Sequence, residues 1–566
     1  MIVRLIQGIW ILILGLQLAG ARTNYILPIT FILTALIFYF RQDILEKFIN
    51  SLNSFLCKRF GKILLIFYIT ATFFAVIGYL ILDYEALHGT YWDLAMLLQS
   101  IWTFANTGSP EIYFHGGTTT HYFKTHHSTI SLFFLAALFK ITQCPWVALI
   151  WQGFFLFSPA LVALLWYKAL AKKNRIPVLP IGLLFAFLAY TLNPVPLSQQ
   201  TWPNILHIGG ACLLALAYLF YYQKRFFLWF LCLVFLTIEK EEHGGVTTLF
   251  GLLVLVETLV GKNPLSQKYK ILFLASCLSL FGVGYFMLYN QLLGIGVPFK
   301  DRFGEVASTP PELLSYIFTN PLKIIQAFFR PLSLKYLVFF LGASLVWLYP
   351  KWSVFKYLIP VLGNLILNSL ANAGTMQMIK DHYAVIIGVG LSATLVFGVF
   401  GFKLSSQTSR LTTDQASNQV HTNAPLTSIY GFFAFVVFFQ TIWGGSSVFR
   451  TFKECYALWG ERKIERQVLK PIKQDKQIVV CCEARICSYL VDRPFVLEAS
   501  HCVQGSRYLE KAKGKKAVYV VYSSGSEIKS LDNEQQKNIP LPAVPFPNDW
   551  HAQTPYLKLS NLITVQ

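Results

Sequence analysis

The sequence predicts an all-α polytopic membrane protein followed by a small C-terminal α/β domain. Of its 566 residues, 55% are hydrophobic and only 13% are charged, and the mean hydropathy is +0.52. Soluble domains are about one-quarter charged. Apolar runs of about 17 to 25 residues, long enough to span the hydrocarbon core of a bilayer, recur along the chain. These observations predict about 12 transmembrane helices and one interfacial helix.

Residues 1–62 contain two N-terminal apolar runs and then a basic loop. The first run follows Arg4 and has the pattern of a signal peptide, but a second run begins near Tyr25. We therefore favour an uncleaved first helix, and the topology is the same either way. Cytoplasmic loops carry an excess of lysine and arginine, so this loop is predicted to be cytoplasmic. Its basic residues are Arg41, Lys47, Lys58, Arg59 and Lys62.

The next helix, from about Ile63 to Leu82, then leads to the outer face. Residues 83–128 form a large first outer loop that contains Asp93, His126 and His127. A carboxylate just outside the bilayer suits a general base, which makes Asp93 the first catalytic candidate. Asp93 also precedes the apolar run 94–104, so a helix N-cap is the alternative, and both roles can hold together.

The apolar segment Thr129–Thr142 is too short to span a bilayer, and runs of this length are often interfacial. If it did span, a cluster of basic residues, Lys168 to Arg175, would fall outside. We therefore predict a juxtamembrane helix here. With that choice, later basic loops are cytoplasmic, and a final helix at about 428–446 returns outward. Residues 63–446 then form the transmembrane core, and residues 447–566 form an extracytoplasmic domain. We predict that the protein lies in the plasma (inner) membrane.

The net charge of +20 is explained by these cytoplasmic loops. No compact basic patch interleaved with aromatic residues is present, so nucleic acid is not a predicted partner. By contrast, most histidines and many acidic residues fall in the predicted outer loops or at helix ends that touch them. Ionisable groups at membrane depth are costly and usually functional.

Four consecutive charges, Glu239 to Glu242, lie between two apolar segments and are followed by His243. A short solvated turn is one interpretation. Ordinary turns favour glycine, proline, asparagine and serine, however, so we prefer a functional site with a partner cation, phosphate or metal. Glu241 and Glu242 are the catalytic candidates, and Lys240 is a candidate for binding phosphate.

Further cations for a phosphate are predicted at Arg302 and Lys380, with His382 beside the latter. A solvated loop is an equal alternative for both segments. Adjacent histidines on a helix point about 100° apart and seldom bind one metal together, so His126 and His127 do not predict a zinc site. No convincing pair of zinc ligands occurs elsewhere.

Several short motifs resemble those of a bacterial and archaeal membrane family of unknown function, DUF 2079. Tyr91–Ala95 with Gln99 and Trp102 resembles its aromatic-x-Asp-Leu-Gly…Gln-x-x-Trp pattern. The other motifs are His126-His127-Ser128, Lys240-Glu241-Glu242 and His382-Tyr383. The resemblance covers about Leu80 to Phe402. Ala95 replaces the usual glycine, and Glu242 replaces the usual aspartate.

That family is similar in plan to GT-C glycosyltransferases, integral-membrane enzymes that take sugars from polyprenyl-phosphate carriers. The resemblance implies a GT-C-like core in which Asp93 acts as the general base. It implies that Glu241 or Glu242 assists or holds a divalent cation, Mg²⁺ or Mn²⁺. His126, His127, Lys240, Arg302, Lys380 and His382 would bind the substrate or its phosphate. The acceptor is an unspecified glycan, lipid or protein.

A non-enzymatic transporter, or a protein that binds a lipid carrier or glycan, is the alternative function. It would need polar residues within the spans and discontinuous helices in paired halves, which we do not find. A scaffold that presents the outer tail is a third reading.

The tail after the last helix has the pattern of a small α/β domain. Strands are predicted at Gln477–Cys481, Pro494–Glu498 and Lys516–Tyr522, and a helix at Glu483–Leu490. Five of the ten cysteines lie here. In an oxidising compartment some could pair, and buried reduced cysteine is the alternative. Cys481 and Cys482 face opposite sides of a strand and should not pair with each other.

Overall fold

Apolar helices dominate the part of the chain that the structure describes. The structure is a computed structural model, and it describes residues 42–87, 92–113, 120–125, 127, 129–191, 205–261, 264–292, 303, 307–344, 351–371, 384–401, 456–457, 460, 463–490, 492–504, 507–522, 544, 550–553 and 557–565. The apolar runs predicted within 1–41 and the last helix predicted at about 428–446 lie outside these residues.

The first part of the described chain is a series of helices. They are α1 Gln42–Cys57, α2 Arg59–Glu85, α3 Trp92–Thr107, α4 Tyr122–Thr125, α5 Ser131–Thr142, α6 Trp146–Lys173, α7 Pro180–Thr191, α8 Gly209–Tyr222, α9 Phe226–Glu239, α10 Gly244–Val260 and α11 Leu265–Leu292. A ribbon of two short antiparallel strands, β1 (Glu111–Ile112) and β2 (Thr120–His121), separates α3 from α4. A 3₁₀ turn, Glu241–His243, joins α9 to α10.

Shorter helices follow. They are α12 Pro310–Thr319, α13 Pro321–Phe328, α14 Pro331–Ser344, α15 Trp352–Phe355, α16 Ile359–Leu370 and α17 Val385–Ala393, which continues as a π-helix over Thr394–Phe400. The predicted juxtamembrane segment does form a helix, α5, which is 12 residues long. Its position relative to a membrane stays a prediction.

Four helical segments among the described residues are long and apolar enough to cross a membrane. They are Arg59–Glu85, Trp146–Lys173, Glu241–Val260 and Gln267–Leu288. The first contains the helix predicted from Ile63 to Leu82. The structure therefore agrees with a helical membrane protein, whereas the total of about 12 spans stays a prediction.

Helix α2 presents large apolar side chains that no other part of the described protein covers. Phe60, Ile66, Phe67 and Phe74 are 63%, 64%, 68% and 63% exposed. A contiguous exposed face of this kind is unfavourable in water and is favourable against lipid chains. This face is the one we expect to contact the bilayer.

The inner faces of the helices bury aromatic side chains whose polar atoms bond to backbone carbonyls of neighbouring helices. Trp166 Nε1 donates to Ala215 O at 3.0 Å, and Tyr218 OH donates to Tyr357 O at 2.8 Å. Buried polar atoms away from water need such partners. These bonds therefore tie α6 to α8, and α8 to the segment after α15.

Helices α10 and α11 pack with their backbones in close approach at a pair of glycines. A Cβ atom on Gly244 would lie 2.5 Å from Gly282 O, and one on Gly282 would lie 2.6 Å from Gly244 O. Any larger residue would push the helices apart, so the glycines permit this approach. Gly244 is the first residue of α10, so the contact holds the start of that helix in place.

The described residues of the C-terminal region form a six-stranded mixed sheet, which agrees with the predicted α/β domain. Its elements are α18 Lys463–Gln474, β3 Val479–Cys482, α19 Ala484–Leu490, β4 Val496–Glu498, α20 Ala499–Gln504, β5 Lys516–Tyr522, β6 Trp550–Gln553, β7 Leu557–Ser560 and β8 Ile563–Thr564. The strand order is β4-β3-β5-β7-β6, with β8 also paired to β5. Strand β3 is parallel to both neighbours, and β7 and β8 are antiparallel to β5.

Two disulfides hold this sheet to its helices. Cys481 pairs with Cys502 of α20, and Cys482 pairs with Cys487 of α19. The adjacent cysteines take partners on opposite faces of β3, as the alternation of side chains along a strand predicts. The alternative of reduced cysteines at these four positions is wrong. Cys455 lies outside the described residues.

The C-terminal domain packs on the end of α2 and on the predicted first loop that follows it. Tyr84 OH donates to Ser488 O at 3.3 Å, and Arg466 donates to Glu85 O at 2.6 Å. Gln99 of α3 accepts from the backbone N–H of Tyr113 at 2.8 Å and donates to Val496 O at 3.5 Å. The domain and the first loop therefore lie at the same end of α2.

Candidate functional site

The charged run between α9 and α10 is buried. Glu239, Lys240, Glu241 and His243 are 0%, 2%, 5% and 5% exposed. The interpretation of this run as a solvated turn is therefore wrong, because a solvated turn would leave these side chains in water. Burying charges is costly unless each has a partner. The partners come partly from the run itself and partly from segments far away in sequence.

His127 is the most distant of these partners. Its Nδ1 atom hydrogen-bonds Glu241 Oε1, and both side chains are almost fully buried. The two residues are 114 positions apart. His127 comes from the segment before α5, so this contact joins the predicted first outer loop to the turn between α9 and α10.

Lys240 and Glu242 form an ion pair within the run. Their Nζ and Oε2 atoms are 2.9 Å apart, and the side chains are 3% and 15% exposed. Lys240 has an extended backbone, whereas Glu242 lies in the 3₁₀ turn. The buried ammonium is thereby compensated, as a charge at this depth requires.

Glu239 has a structural role. Its carboxylate accepts from the backbone N–H of Ser131 at 3.2 Å and from Thr129 Oγ1 at 3.3 Å, and it also bonds Ser131 Oγ. Ser131 is the first residue of α5. The residue before it, Ile130, has no polar side chain that could cap the helix. A carboxylate at a helix N-terminus satisfies free N–H groups and favours the helix dipole. Glu239 therefore fixes α5 to the end of α9.

His207 lies in the turn before α8 and bridges the same segments. Its Nδ1 atom is 3.1 Å from Glu239 O, and its Nε2 atom is 3.4 Å from Tyr122 OH. The ring stands at right angles to that of His127, with 5.2 Å between the centroids. Burial lowers the pKa of His207 well below its usual value, and the nearby His127 and Lys240 lower it further. His207 is therefore neutral at physiological pH.

His243 is held by a backbone contact. Its Nδ1 atom is 3.1 Å from Leu236 O, so Nδ1 carries the hydrogen, because a carbonyl oxygen can only accept. The ring lies against the start of α8, where a Cβ on Gly210 would be 2.9 Å from its Cε1 atom. A Cβ on the neighbouring Gly209 would be 2.8 Å from Glu239 Oε1. Two successive glycines thus let α8 begin directly against these side chains.

These residues form one group, which we call the buried charged cluster. Its members are His127, His207, Glu239, Lys240, Glu241, Glu242 and His243. Sequence reasoning selected four of them as site residues: His127, Lys240, Glu241 and Glu242. It missed His207, Glu239 and His243 as members. The position of His207 just before two glycines and an apolar helix was the available signal.

The other predicted site residues are placed only in part. Asp93 is the second residue of α3, so its backbone lies in the first turn of that helix. Nothing further is described of its side chain. His126, Arg302, Lys380 and His382 lie outside the described residues.

The cluster brings together ligand types that suit a cation. One nitrogen of His127 and one oxygen each of Glu241 and Glu242 lie within 4.8 Å of one another. Imidazole and carboxylate donors together match Mn²⁺, and carboxylates match Mg²⁺. The same three side chains also have protein partners, because Lys240 pairs with Glu242 and His127 bonds Glu241.

Comparison with models of known protein families gives no match to this chain. Comparison with curated proteins gives no match either.

Proposed function

We propose that this protein is an integral-membrane glycosyltransferase that transfers a sugar from a polyprenyl-phosphate donor to an acceptor hydroxyl at the outer membrane face. The observation that carries the proposal is the buried charged cluster, which places three carboxylates, a lysine and three histidines at the end of apolar helices. Buried ionisable groups in membrane proteins generally serve binding or catalysis. The GT-C plan, described above as a resemblance, gives these groups their roles.

The element that carries Asp93 supports the proposal by its position. Helix α3 packs on α5, with the rings of Phe104 and Phe133 5.1 Å apart. Helix α5 in turn is fixed to the cluster through Glu239. Helix α5 therefore connects the cluster to the helix that carries Asp93, and the ring contact lies in the last turn of α3, about three turns from Asp93.

In the proposed reaction the acceptor oxygen attacks the anomeric carbon as the bond to the carrier phosphate breaks. Asp93 takes the proton of the acceptor hydroxyl. The bonding electrons leave with the polyprenyl phosphate, and Lys240 stabilises that negative charge. Arg302 and Lys380 add positive charge, and His126, His127 and His382 bind the donor. The configuration at the anomeric carbon is inverted.

Glu241 and Glu242 are proposed to orient the donor directly or through Mg²⁺ or Mn²⁺. His127, Glu241 and Glu242 would hold that ion, which supplies positive charge next to the phosphate. The ion would replace the hydrogen bond between His127 and Glu241. Electron paramagnetic resonance of added Mn²⁺ tests whether these three residues bind the ion. Glu241→Gln should weaken Mn²⁺ binding, and equal binding by the variant would rule out this ligand set.

The reaction is tested by substituting its proposed base. Purified protein in lipid nanodiscs is assayed with a panel of polyprenyl-phosphate sugars and acceptor glycans. Asp93→Asn should lower kcat roughly 100-fold or more, because it removes the general base. Asp83→Asn, which removes a carboxylate in the last turn of α2, is the matched control and should retain activity. Full transfer by Asp93→Asn would show that the assignment of the base is wrong.

A further inference from the structure

A second polar region lies at the opposite end of the helices from the buried charged cluster. Helices α8 and α10 begin at the cluster, at Gly209 and Gly244, and end at Tyr222 and Val260. With a rise of about 1.5 Å per residue, each covers roughly 20 to 25 Å. At their far ends is a cavity of ≈ 910 Å³.

Four lysines line this cavity, and they come from four separate segments. Lys173 ends α6, Lys224 lies in the turn between α8 and α9, Lys270 is in α11 and Lys356 follows α15. Among the described residues, the carboxylate of Glu257 is the acidic group that lines the cavity. Four lysines and one glutamate give this described lining a net charge of three positive units.

Contacts with neighbouring side chains hold Lys356, Glu257 and Lys173 of the cavity in position. Lys356 Nζ lies 3.0 Å from Glu257 Oε1, and Tyr221 OH donates to the other oxygen of that carboxylate. Lys356 also lies over the ring of Tyr357 at 5.3 Å, and Lys173 lies over that of Tyr222 at 4.6 Å. Contacts with the faces of aromatic rings favour fixed positions for the ammonium groups. The cavity is therefore a preformed basic site.

One wall of the cavity is apolar and exposed. Val256 and Val260 of α10 line it and are 48% and 83% exposed, and Trp352 at its edge is 53% exposed. Exposed aliphatic side chains on a membrane helix are typical of contact with acyl chains, and tryptophan is typical of the membrane–water boundary. The cavity thus joins a basic recess to a surface suited to lipid.

We propose that this cavity binds the phosphate-bearing headgroup of an anionic phospholipid, with its acyl chains along Val256 and Val260. Lysines bind phosphate through charge and hydrogen bonds, and basic pockets between membrane helices bind anionic headgroups. Free inorganic phosphate shares the phosphate chemistry, but it would not use the apolar wall. The site is separate from the buried charged cluster, so it does not depend on the proposed transfer reaction.

The test compares two pairs of lysines at the same end of the protein. The full-length protein is placed in nanodiscs of phosphatidylcholine with increasing phosphatidylglycerol, and bound lipid is measured by native mass spectrometry. Lys173→Gln with Lys270→Gln removes two charges from the cavity. Lys168→Gln with Lys172→Gln removes two exposed charges from α6 that do not line it. All four substitutions replace solvent-exposed lysines, so folding should be unaffected.

The variant with Lys173→Gln and Lys270→Gln should bind phosphatidylglycerol roughly 30-fold more weakly, because each lysine near an anionic lipid contributes about 1 kcal/mol. The control pair should change it less than about three-fold, because Lys168 and Lys172 do not line the cavity and salt screens charges that do not contact the headgroup. Equal losses in both pairs would overturn the proposal, since binding would then reflect general surface charge. Binding of inorganic phosphate with no preference for phosphatidylglycerol would overturn the lipid assignment.

Discussion

Glu241 and Glu242 are adjacent in sequence but take different partners. In a 3₁₀ turn, successive side chains point about 120° apart. Glu241 therefore reaches His127, and Glu242 reaches Lys240. The neighbouring Glu239 belongs to the preceding helix and holds the N-terminus of α5. The three glutamates of this run therefore have three different partners. Glu241 and Glu242 are the two to which we assign a role in binding the substrate.

The histidine at position 207 gives a prediction about pH. Its folded-state pKa is lowered from an ordinary value of 6.5, mainly by burial. The unfolded chain therefore binds a proton more readily, and stability is lost as pH falls below about 6.5. The loss should be about 1.4 kcal/mol per pH unit until the folded-state pKa is reached. Thermal unfolding at pH 7 and pH 5 measures it.

His207→Gln keeps an N–H donor for Glu239 O and removes the titrating ring. The variant should be less stable than the wild type at pH 7 and should lose less stability on going to pH 5. An identical pH dependence in the two proteins would show that other groups cause the acid sensitivity.

The sequence predicted the position of the polar run but not its network. Alternation between apolar segments and a run of charges is visible in a single stretch of sequence, so Lys240, Glu241 and Glu242 were identified. The contact of His127 with Glu241 spans 114 residues and depends on tertiary packing. His207 and His243 were assigned to the outer loops without a role, because their contacts with the carbonyl oxygens of Glu239 and Leu236, and that of His207 with Tyr122 OH, form only in the folded chain. Backbone partners leave no sequence signature.

At the scale of elements, the start of α10 depends on its glycine contact with α11. Gly282→Ala would place a Cβ 2.6 Å from both Gly244 O and Thr248 Oγ1. We expect a loss of about 1 to 3 kcal/mol of stability, the usual cost of overpacking a core. Gly284 lies two residues along the same helix, and a Cβ there would meet nothing within 4 Å.

Gly284→Ala is therefore the matched control for Gly282→Ala. It should be neutral or slightly stabilising, because alanine favours a helix over glycine by up to about 1 kcal/mol. Thermal unfolding in the same detergent compares the two variants. Equal stability would contradict the close packing of α10 on α11.

Element boundaries were predicted best where hydrophobic length or β-branched composition was strong. Helix α2 and strand β5 lie where the sequence placed them, and the helix predicted at 129–142 begins two residues later, at Ser131. Strands β6, β7 and β8 were not predicted. They are two to four residues long, and their hydrogen bonds to each other and to β5 stabilise them more than local propensity does.

At the scale of the whole molecule, the disulfides and the packing of the C-terminal domain bear on topology. Disulfides persist in oxidising compartments, and the domain that contains them packs on the first loop through Gln99 and Tyr84. We therefore predict that the first loop and the C-terminal domain are both extracytoplasmic. This agrees with the side assigned from the basic loops.

Reporter fusions test that topology. Alkaline phosphatase, which folds only in an oxidising compartment, should be active when fused after residue 566 and inactive when fused after Lys224. Lys224 lies at the opposite end of α8 from the cluster. The reverse pattern would place the buried charged cluster at the cytoplasmic face and would contradict an outer-face reaction.

The most direct test of the central claim measures polyprenyl-phosphate binding to the protein in nanodiscs, with and without an attached sugar. Lys240→Met with Glu242→Gln removes both charges of an ion pair in the cluster. Lys476→Met with Asp492→Asn makes the same change in the C-terminal domain, at residues that belong to neither the cluster nor the lysine-lined cavity. Asp93→Asn removes the proposed base alone.

The account predicts saturable binding by the wild type and by Asp93→Asn. The cluster variant should bind at least about ten-fold more weakly, because a charge-assisted contact to phosphate is lost. The control variant in the C-terminal domain should bind as the wild type does. An absence of saturable binding by the wild type, or equal binding by the cluster variant, would contradict a lipid-linked donor site at the buried charged cluster.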